Sequence, residues 1–240
     1  MSYLDGFVIP VEESARAAFI DHAQRMDEVF IANGATRVIE CWGVDLKPGK
    51  TTDFQGAVQA RSGEAVAFSW IEWPDKATRD TAFKAMEADE EMMAVPMPFD
   101  GKRMIYGGFE PIVSKGTVAA DDYVQGFIIP VPEAKREAYR KMAEDAWPMF
   151  EEFGATSVVE TWGDDVPEGK QTDFYRAVKA EPGEKIVFSY MTWPSKAVCD
   201  EAATKMQSDE RMALPEGFEM PFDGKRMVYG GFEPVVVLGD

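Results

Sequence analysis

Met97–Pro111 reads MPFDGKRMIYGGFEP, and Met220–Pro234 reads MPFDGKRMVYGGFEP. The two stretches differ at one position, Ile105 against Val228. Working outward from them, the likeness runs through the whole chain. Tyr3–Val11 (YLDGFVIPV) returns as Tyr123–Val131 (YVQGFIIPV), and Gly34–Gly43 (GATRVIECWG) returns as Gly154–Gly163 (GATSVVETWG). The offset is 120 residues until three extra residues near Pro215–Phe218 move it to 123, and about half of the aligned pairs are identical. A period this long marks a duplicated domain, because solenoid repeats run roughly 20–50 residues. The joint is the small, polar stretch Ser114–Asp122 (SKGTVAADD), which places the units at 1–118 and 119–240. A linker this short spans about 30 Å at most when extended, so the two units are expected to touch.

Each unit reads β-α-β-β-α-β. Tyr3–Val11 is apolar on both parities, as a strand covered on both faces would be. Ala15, Ala18, Phe19, Ala23, Met26, Val29 and Phe30 fall at helical spacing, and Gly34 closes that helix. Thr36–Trp42 reads as a strand, and Phe54–Ala60 as a short one leading into the strand Val66–Trp73. Pro74-Asp75 starts a second helix over Lys76–Asp89, and the Asp100-Gly101 turn precedes a last strand, Arg103–Val113. Gly107-Gly108 within it implies a bulge or a close backbone approach. In the second unit Pro148 is expected to kink or interrupt the first helix. This order predicts an α+β fold of two ferredoxin-like units. Helices cover one sheet face only, so the other faces should pack sheet to sheet, making an intramolecular pseudo-dimeric α+β barrel around a cavity.

YLDGFVIPV, VIECWG, TDFQGAV, FSWIEWP and MPFDGKRMIYGGFE together resemble the YbaA-like family, domain-of-unknown-function family 1428. The resemblance spans nearly all of each half, and DGKRM-x-YGGFE is long enough to be specific. It implies kinship with the dimeric α+β barrel proteins, usually one unit per chain, so that the homodimer found elsewhere is internal here. Among the activities that superfamily implies are those of cofactor-free monooxygenases and isomerases. The family supplies no catalytic residues to carry over.

Composition narrows the function classes. The 240 residues carry 25 basic and 43 acidic side chains, a formal charge of −18, which would repel nucleic-acid phosphates. No apolar run approaches the roughly 18 residues of a membrane span, and no leader is evident at the start. Cys41 aligns with Thr161 and Cys199 with Arg79, so neither cysteine belongs to a disulfide framework, which suits a reducing cytoplasm. The sole histidine, His22, aligns with Met142, which removes a His-ligated metal or haem and a His-paired nucleophile common to both units. No phosphate loop is present. The expectation is therefore no metal, no cofactor and no nucleotide.

Three groups of residues remain as site candidates. Val38, Glu40 and Trp42 share one strand face and recur as Val158, Glu160 and Trp162, so each glutamate is a candidate general acid or base beside an indole. Lys102-Arg103 and Lys225-Arg226 could clamp an anionic group, or pair internally with Asp100 or the glutamate. Trp42, Trp73, Tyr106 and Phe109, with their partners Trp162, Trp193, Tyr229 and Phe232, could line the cavity and bind a ligand or fill a core, with the two tyrosines as further catalytic candidates. Asp53 and Asp173 read as turn caps. Two functions fit: a cytoplasmic small-molecule-binding or interaction protein, or a cofactor-free enzyme acting on a small aromatic or anionic substrate. Further homo-oligomerisation is compatible with either.

Overall fold

A computed structural model describes residues 2–212 and 217–239, so the three-residue insertion near Pro215–Phe218 lies partly outside the described residues. The first unit comprises β1 (Tyr3–Glu12), α1 (Arg16–Ala32), β2 (Arg37–Asp45), α2 (Phe54–Ala57), β3 (Glu64–Trp73), α3 (Lys76–Glu87), α4 (Glu90–Met93) and β4 (Ile105–Gly116). The second repeats the pattern with β5 (Tyr123–Pro132), α5 (Arg136–Glu152), β6 (Ser157–Asp165), α6 (Phe174–Ala177), β7 (Glu184–Trp193), α7 (Lys196–Ser208) and β8 (Val228–Gly239). Gly34 caps α1 at φ +103°, a conformation its Cβ-free backbone adopts without strain. The Asp75 carboxylate accepts from the Thr78 amide at 2.8 Å and starts α3.

Two local expectations need correction. Phe54–Ala57 is a short helix, not a strand, because the Asp53 carboxylate accepts from the Gly56 amide at 2.6 Å and the Gly49 amide at 2.9 Å. Asp173 does the same for Arg176 at 2.7 Å. Pro148 does not interrupt α5, which runs unbroken from Arg136 to Glu152. The expectation for Gly107-Gly108 holds in both its forms. A register shift falls between Gly108 and Phe109, and a Cβ on Gly108 would collide with the Tyr3 hydroxyl.

Within each unit the strand order is β4-β1-β3-β2 and β8-β5-β7-β6, all antiparallel. The units then join edge to edge, β2 against β8 and β4 against β6, and the eight strands close into one barrel. Closure leaves no unpaired edge. It also joins the two halves, which the chain already links, through hydrogen bonds: beyond the strand pairing, Tyr3 of the first unit donates to Asp164 of the second at 3.0 Å.

The expected cavity between the two sheets is instead a packed core. Phe68 and Phe188 stack at 4.5 Å and 2°, and Trp70 stacks on Tyr190 at 4.1 Å. Phe54 and Phe174, carried inward by α2 and α6, join Phe109 and Phe232 in the same cluster. An eight-stranded barrel has an interior just wide enough for side chains to fill, and these aromatics fill it. Ile39 and Cys41 of β2 point into this core. By alternation Val38, Glu40 and Trp42 lie on the outer face, beneath the helices.

Candidate functional site

The outer face of the second unit holds a cavity. Its volume is about 710 Å³, and it lies between α5 and the strands β5, β6 and β7. Phe127, Met142, Met149, Met191, Phe222 and Met227 supply an apolar wall. Methionine suits such a wall because its unbranched thioether adapts to varied shapes. Against this wall stand Glu160, Tyr139 and Ser189. The Tyr139 hydroxyl donates to Glu160 Oε2 at 2.6 Å. Burial pushes the Glu160 carboxyl up to about 7, opposed by the hydrogen bonds from Tyr139 and Ser189. Tyr139 is itself raised well above a free phenol, first by burial and then by the carboxylate beside it. Glu160 is one of the residues that line the cavity. A carboxyl with this value exists in both protonation states near neutrality, so it can give or take a proton.

The same face of the first unit is built differently. Phe19 replaces Tyr139 and packs on Trp42 at 5.9 Å and Phe99 at 6.1 Å. His22 meets the Phe99 ring edge-on at 5.9 Å. Glu40 accepts a hydrogen bond from the Ser69 hydroxyl and is raised to about 7 by burial. The buried Asp27 of α1, aligned with Trp147, lies close enough for Glu40 to raise it further, and one of its carboxyl oxygens has no partner. Burial and that neighbour bring Asp27 to about 9.

The other candidates occupy different places. Arg103 is closed off: its guanidinium makes two bonds to Glu64, at 2.6 and 2.7 Å, one to Asp100 at 2.9 Å and one to the Gln59 carbonyl at 3.0 Å. Arg226 repeats this set with Glu184, Asp223 and the Lys179 carbonyl. The arginines therefore clamp the Asp-Gly turn to the start of a strand, and neither bonds to Glu40 or Glu160. Lys102 and Lys225 are exposed beside those turns. Trp42 and Trp162 are on the glutamate face, under Arg16 at 5.4 Å and Arg136 at 5.5 Å. Trp73 and Trp193 do not line a space between the sheets; they are fully buried, donating to Asp5 at 2.8 Å and Gln125 at 2.9 Å. Tyr106 and Tyr229 are on the surface, 48% and 54% exposed, and neither lines the cavity of Glu160.

Tyr139, Ser189 and Asp27 escaped the sequence reading. The serine had a visible signal, since FSW and FSY keep it in both copies as Ser69 and Ser189. Tyr139 and Asp27 are differences between the copies, and attention to what is shared passes over them. Among the described residues no group of three or more His, Cys, Asp or Glu could hold a metal ion, and no helix is long and apolar enough to cross a membrane. Both cysteines are free and buried.

Two β-α-β-β-α-β units closed into one eight-stranded antiparallel barrel, with the helices outside and a cavity beneath α5, define a mixed α+β barrel fold. Three solved structures share this architecture. One is a provisionally named monooxygenase from Fusobacterium nucleatum: TM-score 0.63, 8% identity, covering 100% of this chain and 94% of its own. Another, of the same provisional name, is from Lactobacillus acidophilus: TM-score 0.60, 11% identity, 99% and 96%. The third is an anthrone oxidase-like protein: TM-score 0.52, 14% identity, 99% and 92%. At these identities the likeness is one of fold. The chain belongs to the family described as protein of unknown function, DUF1428, whose profile matches residues 2–101 and again 122–224. The uncharacterized protein YbaA of Escherichia coli K12 is 57% identical over 114 residues, which is 48% of this chain and 97% of that protein.

Proposed function

We propose that the protein binds an uncharged, largely apolar small molecule beneath α5, with Glu160, Tyr139 and Ser189 as the polar end of the site. The observation that carries this reading is the 710 Å³ cavity whose apolar wall meets one adjustable carboxyl. Small-molecule sites have this anatomy: apolar lining, with a few placed polar groups that orient the ligand. An apolar ligand gains by leaving water, and its hydroxyl or carbonyl finds a partner whether Glu160 is protonated or ionised. Arg211 also lines the cavity, but it is committed to Asp209 at 2.7 Å and Glu152 at 2.7 Å. That leaves an anionic ligand without a free cation there, so an uncharged one is favoured.

Titration with an environment-sensitive apolar dye tests this reading. One saturable site is expected in the wild type. Ala146→Trp, which projects an indole into the cavity, should abolish it with the melting transition retained. Equal dye binding by Ala146→Trp would overturn the proposal.

A second reading rests on the value near 7 at Glu160. The carboxylate would act as general base, taking a proton from an acidic C–H or O–H of the ligand, with the Tyr139 hydroxyl donating to the carboxylate. This is the cofactor-free enzyme reading, and it adds a chemical step to the same site. Glu160→Gln separates the two readings: a binding protein keeps its ligand and has no turnover to lose, whereas an enzyme keeps binding and loses turnover.

A further inference from the structure

A second pocket, separate from the cavity beneath α5, lies beside the linker and has a volume of about 250 Å³. Arg37, Glu72, Ser114, Lys115, Val118 and Tyr190 are among the residues that line it. The Arg37 guanidinium is its distinctive feature. Nη2 donates to the Val118 carbonyl at 3.0 Å, while the buried Nε–H has no acceptor. A buried donor left unpaired is costly, and such groups in native proteins call for a water, an ion or a ligand. Lys115 lines the same pocket and forms no ion pair among the described residues. Glu72 is the one carboxylate there, and its Oε1 is occupied by donors, Trp70 Nε1 at 3.1 Å and the Tyr190 hydroxyl at 3.3 Å.

The duplication provides an internal control. At the aligned positions of the other unit, Arg37 becomes Ser157, Glu72 becomes Thr192, Ser114 becomes Val237 and Lys115 becomes Leu238. The charged groups of the pocket thus occur on one side of the pseudo-symmetric barrel. The register allows the exchange, since Arg37 pairs opposite Glu72 as Ser157 does opposite Thr192. Closing the barrel does not require an arginine at this point. A guanidinium with only one acceptor among the described residues has donors left over for an oxyanion, because its planar fork matches carboxylate and phosphate oxygens.

We infer that this linker pocket is a binding site for a small oxyanion, a carboxylate or phosphate group, held by the Arg37 guanidinium and the Lys115 ammonium. The volume limits the ligand to a small molecule or to the anionic end of a larger one. The site is independent of the cavity beneath α5 and stands whether or not that cavity binds a ligand.

The test is an NMR titration of ¹⁵N-labelled protein with acetate and, in a second arm, inorganic phosphate, at ionic strength held constant with chloride. The Arg37 Nε–H resonance and the backbone amides of Gly116 and Val118 report binding. Saturable shifts of these signals with either anion are expected, and the arm that saturates at the lower concentration identifies the group. The Arg37→Ser/Lys115→Leu variant takes the residues of the aligned positions, so it should fold with an unchanged melting curve. Its apparent affinity, read at Gly116 and Val118, should fall about tenfold or more, as loss of a charge-assisted hydrogen bond implies. Shifts that stay linear with both anions, or equal saturation in the double variant, would overturn the inference. Should that variant unfold, Lys115→Leu alone serves: it keeps the Arg37 signal, and unchanged affinity there would equally overturn it.

Discussion

Replacing Glu160 by glutamine should change the pH dependence of stability more than stability itself. In the fold its carboxyl is raised from 4.5 to about 7, chiefly by burial. Between those values the folded protein keeps a proton that the unfolded chain has released. The stabilisation tied to that proton is therefore complete below about pH 4.5, and it is lost as the pH rises through 7. A shift of about 2.5 units at about 1.4 kcal/mol each amounts to about 3 kcal/mol. For a chain of this size 1 kcal/mol moves the melting temperature by about 2–4 °C, so the wild type should lose about 6–12 °C from this group between pH 4.5 and 8. Glutamine does not titrate. The Glu160→Gln curve should accordingly be flatter than the wild type by that amount, whatever the offset caused by changing the Tyr139 hydrogen bond. Differential scanning calorimetry at half-unit steps of pH measures it, with Glu40 and Asp27 present in both proteins and cancelling in the comparison. Parallel curves for the two proteins would refute the argument, as would a Glu160 carbon resonance titrating in the ordinary carboxylate range.

The first unit makes the companion case. Asp27 is held at about 9 by burial and by Glu40, so Asp27→Asn should match the wild type near pH 3.5 and become progressively more stable as the pH rises toward 9, in urea melts across that range. Glu40→Gln should cause no loss of stability at neutral pH, because Arg103 is bonded to Glu64 and Asp100 and is left with its partners intact. Arg103→Ala, by contrast, strands the Glu64 carboxylate, whose side chain is 7% exposed, and should cost about 3–5 kcal/mol by chemical denaturation. Arg103 holds Glu64 down at about 2, so its stabilisation should persist to acid pH and fade only as the pH falls toward that value. Gly231→Ala places a Cβ into the Tyr123 hydroxyl and should cost about 1–3 kcal/mol, with part of the loss recovered by adding Tyr123→Phe.

Much of the architecture is legible in the residues alone. The repeated MPFDGKRM block shows the duplication, and the order of strand and helix signals within one copy yields the ferredoxin-like unit. Strand parity correctly groups Val38, Glu40 and Trp42 on one face. The role of Arg103 was open between an anion clamp and an ion pair, and its chief partner, Glu64, lies 39 residues away in sequence. Nothing in the local pattern selects that glutamate over others.

The sequence by itself determined the duplication, the main strands and helices and the face that each side chain shares, since these follow from identity at a fixed offset and from short-range periodicity, whereas the short helix Phe54–Ala57 read as a strand. Only the tertiary structure decided which of those faces is the interior. Both parities of β2 are apolar enough to be buried, so alternation could not rank Ile39 and Cys41 above Val38 and Trp42. That choice was made by closure, when β2 paired with β8 and β4 with β6 across the two units. The closed barrel filled its own centre with stacked aromatics and turned the glutamates outward beneath the helices. A site between helix and sheet then depended on residues in which the copies differ, Tyr139 for Phe19 and Met142 for His22, whose consequences appear only once α1 and α5 have docked.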